Sequence, residues 1–290
     1  MKLWTAAVFT LSIIASQFMA FSTSANAEPE YLPVEQSSLV YMETNIGQVI
    51  IQLTDLQSPM AAKQFSNLVT EGFYHNQSFY RVIDGFVAQA GEMDYEKGVS
   101  KKSNFRRSIS AEFTNVSSEQ SGFQVVQSPA LLAPETGYWH NFPAGQDPST
   151  KERWLLHCPG AVAMARNNDP DSSSTEFYIV IGQAPRHLDR NMSVIGRVVH
   201  GMSIVQAMNR GERAEGGIVK PKSEQVKILS AAIGSSLLKA QQKNIRIANT
   251  KSDKFIKRIN NAKHNPGPFL VYPGNGNVDV CYYQPSIKIG

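Results

Sequence analysis

The chain has 290 residues, room for one large domain or a domain with an appendage, and a formal net charge of +4. So small a cationic excess gives no ground for a nucleic-acid partner, and after the first residues no stretch is apolar enough to span a bilayer. Two cysteines, six histidines without zinc-site spacing and no glycine-rich phosphate loop leave no metal or cofactor expected.

Lys2 precedes an apolar run from Leu3 to Phe21 and then Ala25-Asn26-Ala27. A cation, an apolar stretch and an A-x-A site predict a secretory signal peptide over residues 1–27, cleaved after Ala27. An uncleaved anchor is the alternative, although Thr10, Ser12, Ser16 and Gln17 interrupt the run. Residues 28–38, polar and Pro-containing, read as a linker. Val40 to Leu53 alternates around Thr44-Asn45-Ile46-Gly47 and predicts a β-hairpin. Ser58-Pro59 predicts a helix start, with Ser58 as N-cap and Ala62, Phe65, Leu68 and Val69 on one face, ended by Gly72. Short strands are expected at Phe79–Ile83, Val87–Ala90, Ala161–Ala165, Phe177–Ile181, Ser193–Val199 and Val226–Ile233. A second helix is expected over Met202–Asn209, with Gly211 as its stop. Many short strands with two helices point to a mainly β barrel or sandwich carrying helical plugs.

Two segments hold polar side chains among alternating aromatic and aliphatic residues. They are Phe79-Tyr-Arg-Val-Ile-Asp-Gly-Phe-Val-Ala-Gln-Ala-Gly91 and Met164-Ala-Arg-Asn-Asn-Asp-Pro-Asp-Ser-Ser-Ser-Thr-Glu-Phe-Tyr-Ile179. One fixed cation, Arg81, beside an apolar wall suits the holding of a neutral, partly apolar group. Both segments resemble the signature stretches of the cyclophilins, the peptidyl-prolyl cis–trans isomerases, in the form of the exported bacterial branch. The resemblance spans residues 39–234, interrupted by an unmatched insertion at about 116–153. It implies a closed antiparallel β-barrel capped by a helix at each end, with the substrate groove on the outside.

The activity so implied is isomerisation of X-Pro bonds in polypeptide clients, assisting the folding of exported, periplasmic proteins. An X-Pro bond rotates over a barrier of about 18–20 kcal/mol set by amide resonance. No covalent step or cofactor is needed; a catalyst has only to bind the twisted amide better than the planar one. Carried over by position, the resemblance makes Arg81 the catalytic donor to the prolyl nitrogen and Gln89 its partner. Phe86, Val87, Tyr178 and Leu188 match the proline pocket, and the backbone of Met164-Ala165-Arg166-Asn167 matches the segment that pairs with bound peptide.

The chain departs from the pattern at Tyr80 (usually His), Asp84 (usually Pro) and Ala90-Gly91 (usually Gly-Gly). Glu176 stands where Gln is usual, adding a carboxylate within expected reach of Arg81; His187 replaces a Trp and Met192 a pocket His. These departures leave a second reading, a weakly active or inactive binding module for a proline-containing or cell-envelope partner.

Three further features lie outside the motifs. The insertion carries Pro129, Pro134, Pro143 and Pro148 around Tyr138-Trp139-His140, and an ordered flap beside the groove is expected. Residues 235–290 form a basic extension, with eight Lys/Arg and one acid between Lys239 and Lys263. It reads as a solvated helix packed on the barrel, or as a docking surface for an acidic protein or an anionic membrane. Val278–Tyr283 is a candidate final strand. Cys158 and Cys281 either pair, in an oxidising compartment, or stay free; His157 beside Cys158 is not expected to activate it, since adjacent extended residues face opposite ways.

Overall fold

The computed structural model describes residues 29–92, 103–105, 107–116, 122–183, 185–265, 267–272 and 274–290; the expected signal peptide and its cleavage site lie outside them. In chain order, the stretch read as a linker carries β1 (Tyr31–Pro33), followed by the hairpin β2 (Leu39–Thr44) and β3 (Gly47–Leu53). Helix α1 (Pro59–Thr70), β4 (Ser78–Val82) and β5 (Val87–Gly91) come next. The insertion contributes β6 (Asn115–Val116), β7 (Phe123–Gln127), β8 (Glu135–Trp139), β9 (Phe142–Asp147) and β10 (Glu152–Leu155). Then follow β11 (Ala161–Met164), β12 (Phe177–Val180), β13 (Val194–His200), α2 (Met202–Gln206), β14 (Val226–Ile233), β15 (Ile245–Ala248), α3 (Asp253–His264) and β16 (Ile287–Ile289).

Eight strands close a barrel in the order β11-β12-β5-β4-β14-β2-β3-β13, with β13 pairing back onto β11 and every pairing antiparallel. The period of two sorts each strand: Phe177 and Ile179 fill the interior with Val40, Met42, Phe79 and Ala88, while Tyr178 and Val180 face outward. Phe65, Leu68 and Val69 of α1 join that interior, as does Val205 of α2.

Helix α1 begins at Pro59 as predicted, but the Ser58 side chain does not cap it. Glu112 does, accepting from the amides of Met60 (3.0 Å) and Ala61 (2.9 Å), while Ser58 Oγ donates to the Glu112 carbonyl. A carboxylate at a helix N-terminus is the stronger acceptor, and it comes from 51 residues beyond Ala61. Helix α2 is shorter than expected, and Arg210 satisfies the carbonyls of Gln206 and Met208 at its end.

The insertion is a five-stranded antiparallel sheet, β6-β10-β9-β8-β7. Its Trp139, Phe142, Ala144 and Leu155 pack on the outward residues Ala161, Ala163, Tyr178, Val180 and Val194 of the barrel. Basic residues 239–263 are α-helical only in their second half: after a single 3-10 turn at Lys239–Gln241, Ile245 and Ile247, both buried around exposed Arg246, form β15 in a sheet with β1 and β16. That sheet covers Leu39, Tyr41, Ile50 and Val199 on another outer face. The expected strand at Val278–Tyr283 is instead a turn closed by Tyr282 N–H to Asp279 C=O, and the final strand lies later, at β16. Cys158 and Cys281 are joined, their Cα atoms 4.9 Å apart across 123 residues of sequence. The bond sits where insertion, α3 and C-terminal segment share a core of Tyr138, Trp154, Phe255, Ile259 and Val280.

Candidate active site

Strand register brings the polar site residues into one row. Arg81 on β4 lies opposite Gln89 on β5, Gln89 opposite Tyr178 on β12, and Tyr178 opposite Ala163 on β11. A register shift between Phe79 and Arg81 helps set this row: Phe79 remains in the barrel core while Arg81 lies half-exposed on the outside.

Two of the guanidinium donors of Arg81 are held by the protein. Nη1 donates to Gln89 Oε1 at 2.8 Å and Nε to the carbonyl of Gly216 at 2.8 Å. Gln89 is oriented in turn: its amide donates to Glu176 Oε2 (2.5 Å) and to the Tyr80 hydroxyl (2.8 Å). Tyr80 donates its proton to Glu176. Glu176 was expected within reach of Arg81, but among the described residues its carboxylate bonds Tyr80 and Gln89 and makes no ion pair with the arginine. Geometry explains this: Gln89 lies between them and turns its carbonyl to the cation and its amide to the anion. Burial holds the Glu176 carboxyl above its ordinary value, against the lowering effect of its bonds to Tyr80 and Gln89. Burial and the Glu176 charge push the Tyr80 hydroxyl far up, so it stays a donor. Gly91 admits the carboxylate strand, since a Cβ there would stand 2.8 Å from Glu176 Cα.

Beside this row lies an apolar cluster in which Val87 and Tyr178 are buried and Phe86, Ala165, Leu188 and Met192 are half-exposed. His187 is exposed and stacks on Phe86, ring centroids 6.0 Å apart. The two rings border a cleft of about 440 Å³ with Ile83, Pro185 and Arg213. On the other side of Gln89, Ala165, Arg166, Asn167 and Glu176 line a smaller hollow of about 70 Å³. Arg166 turns aside, donating to the carbonyls of Asn191 and Asn167 and lying 5.2 Å from the Phe113 ring, while Asn167 is exposed. Asp84 pairs with Arg210 at 3.1 Å, away from the row.

A second polar chain starts at the Tyr178 hydroxyl, and sequence reading missed it. The Tyr178 hydroxyl lies 2.9 Å from His157 Nε2, and His157 Nδ1 lies 3.0 Å from Asp189 Oδ1, which also accepts the His157 amide. Arg186 closes the chain on Asp189 Oδ2. Because the carboxylate only accepts, Nδ1 donates to it and Nε2 is left to accept from Tyr178 in the neutral ring. The sequence signal was present but unpaired: a tyrosine among the pocket positions at Tyr178, and a histidine considered only beside Cys158.

The family model for the cyclophilin type peptidyl-prolyl cis-trans isomerase/CLD matches residues 39–233. A probable peptidyl-prolyl cis-trans isomerase of Brucella suis is 28% identical over 221 residues, which are 76% of this chain and 93% of that protein. A peptidyl-prolyl cis-trans isomerase of Acinetobacter baylyi is 26% identical over 204 residues, 69% of this chain and 87% of its own. Among solved structures, the cyclophilin AquaCyp293 from Hirschia baltica superposes with a TM-score of 0.69 at 24% identity, covering 89% of this chain and 93% of that one. That likeness of fold reaches beyond residues 39–233.

Proposed function

The chain belongs to the cyclophilin-type peptidyl-prolyl cis–trans isomerases and is an isomerase of that type, and on that premise we propose that Arg81 is its catalytic residue. The proline ring of a client seats on Val87 and Tyr178 between Phe86, Leu188 and Met192. The prolyl nitrogen then faces the guanidinium. In the planar imide that nitrogen's lone pair is delocalised; in the twisted one it is localised and accepts a hydrogen bond. A donor fixed at that point stabilises the twisted state alone, and each 1.4 kcal/mol of such preference is worth about tenfold in rate.

The observation that carries this reading is the state of the Arg81 donors. Nε and Nη1 are held by Gly216 and Gln89, which fixes the plane of the group, and among the described residues Nη2 has no protein partner. No proton is transferred, so what matters is an aimed, permanent positive charge. In a protease-coupled proline-peptide assay, Arg81→Ala is expected to lower kcat/KM by about 10²–10³-fold, the cost typical of one transition-state donor. Wild-type turnover in the variant would remove Arg81 from the mechanism.

The clients are exported proteins. The reading rests on the signal-like residues 1–27 and on a disulfide of a kind that persists in oxidising compartments. Alkylation of thiols in intact cells should leave Cys158 and Cys281 unmodified, whereas labelling of both would place the protein in a reducing compartment.

A further inference from the structure

The C-terminal extension leaves a four-residue apolar loop in solvent. Phe269, Val271 and Tyr272 are 91%, 81% and 90% exposed, and Leu270 is 46% exposed. A shortage of core is not the cause, because the same segment buries Val278, Val280 and Cys281 a few residues later. Contiguous exposed apolar groups of this kind mark an interaction surface.

The loop directly follows α3, whose Phe255 and Ile259 are buried in the shared core and whose other faces carry cations. Among the described residues only Lys254 of this helix meets a carboxylate, that of Glu30 at 2.9 Å. Lys257 is exposed on the same helix, and Arg258 lies over the ring of Tyr283, next to the 80% exposed Tyr282. From Lys239 to the C-terminus there are nine Lys/Arg against two Asp.

We propose that this face docks on an anionic bilayer, with the Phe269–Tyr272 loop entering the headgroup layer and the α3 cations lying over it. Charge decides the occupant. A second copy would bring two cationic faces together, whereas an anionic lipid surface complements them. Aromatic and aliphatic side chains projecting from a loop need no shaped pocket in a bilayer, and aromatic rings favour its interface. Contact is at the surface, since no described helix is long and apolar enough to cross a membrane. The Cys158–Cys281 bond then ties the docked module to the barrel beside the apolar cluster around Tyr178, so the groove is held near the membrane.

Sedimentation of the full chain with phosphatidylglycerol and with phosphatidylcholine vesicles tests this. Binding to the anionic vesicles is expected to be at least about tenfold stronger and to weaken at about 0.5 M salt. The F269S/Y272S double variant should lose about tenfold in binding while keeping its melting temperature and its turnover of a soluble proline peptide. Any contribution of the apolar N-terminal run is equal in all variants. For an insertion readout, the emission of Y272W beyond that of wild type should be quenched by brominated phosphatidylglycerol. Equal binding to both lipids, wild-type binding by F269S/Y272S, or absence of that quenching overturns the proposal. Binding abolished by K257E yet untouched by F269S/Y272S would also overturn it, in favour of an acidic protein partner.

Discussion

Glu176 shows how one residue changes a site without touching the reacting atoms. As a carboxylate it accepts from both Tyr80 and Gln89, and so fixes which end of the Gln89 amide faces Arg81. Burial raises its pKa above the ordinary glutamate value of 4.5. On acidification it therefore protonates earlier than an exposed glutamate, one acceptor is lost, and Gln89 loosens. Isomerase activity should fall along an acid limb whose midpoint lies above 4.5, and Glu176→Gln should flatten that limb in a pH–kcat/KM profile. Stability runs the other way. For an acid whose folded-state pKa is raised, the contribution is fully present below the unfolded value and is lost as pH rises through the folded one. Glu176→Gln should accordingly melt higher than wild type at neutral pH, and the gap should close as pH falls to the ordinary glutamate range. A melting curve indifferent to pH in this comparison would contradict the assignment.

Among elements, the apolar cluster around Tyr178 depends on three that are distant in sequence. Tyr178 on β12, His157 in the connection into β11 and the turn carrying Arg186, Leu188 and Asp189 are fastened by one chain of hydrogen bonds. Tyr178→Phe keeps the ring but strands a buried imidazole nitrogen. It should cost about 1–3 kcal/mol of stability in denaturant unfolding, the usual penalty of an unsatisfied buried polar group. The looser cluster should raise KM with little change in kcat, since Arg81 and Gln89 are held independently. Unchanged stability together with an unchanged KM would show that the hydroxyl serves nothing. Legibility also differed between elements. The hairpin at Val40–Leu53 and strands β4, β5, β11, β12 and β13 were readable, because period-two burial leaves its mark in each segment alone. The insertion strands were not, because Glu135–Asp147 acquires an inside only by lying on the barrel wall. Ile245-Arg-Ile carries a strand pattern, but the surrounding run of cations suggested a helix.

At the scale of the whole molecule, barrel, insertion and C-terminal module are fused by shared cores rather than strung in series. The insertion covers β11, β12 and β13, the C-terminal sheet covers β2 and β3, and the two additions meet at Cys158–Cys281. A crosslink spanning 123 residues removes much of the unfolded chain's freedom, about 4–5 kcal/mol in the chain-entropy treatment. That closure keeps the added modules in register with the groove. The amino-acid sequence alone determined the barrel strands and the pairing of Arg81 with Gln89, because each is written as local alternation or as a motif in register. Three-dimensional packing decided that Glu176 answers to Tyr80 and Gln89 instead of Arg81, that His157 lies under Tyr178, and that Glu112 caps α1. Those contacts join residues 21 to 96 positions apart, and no local pattern encodes which of several polar groups reaches a buried partner first.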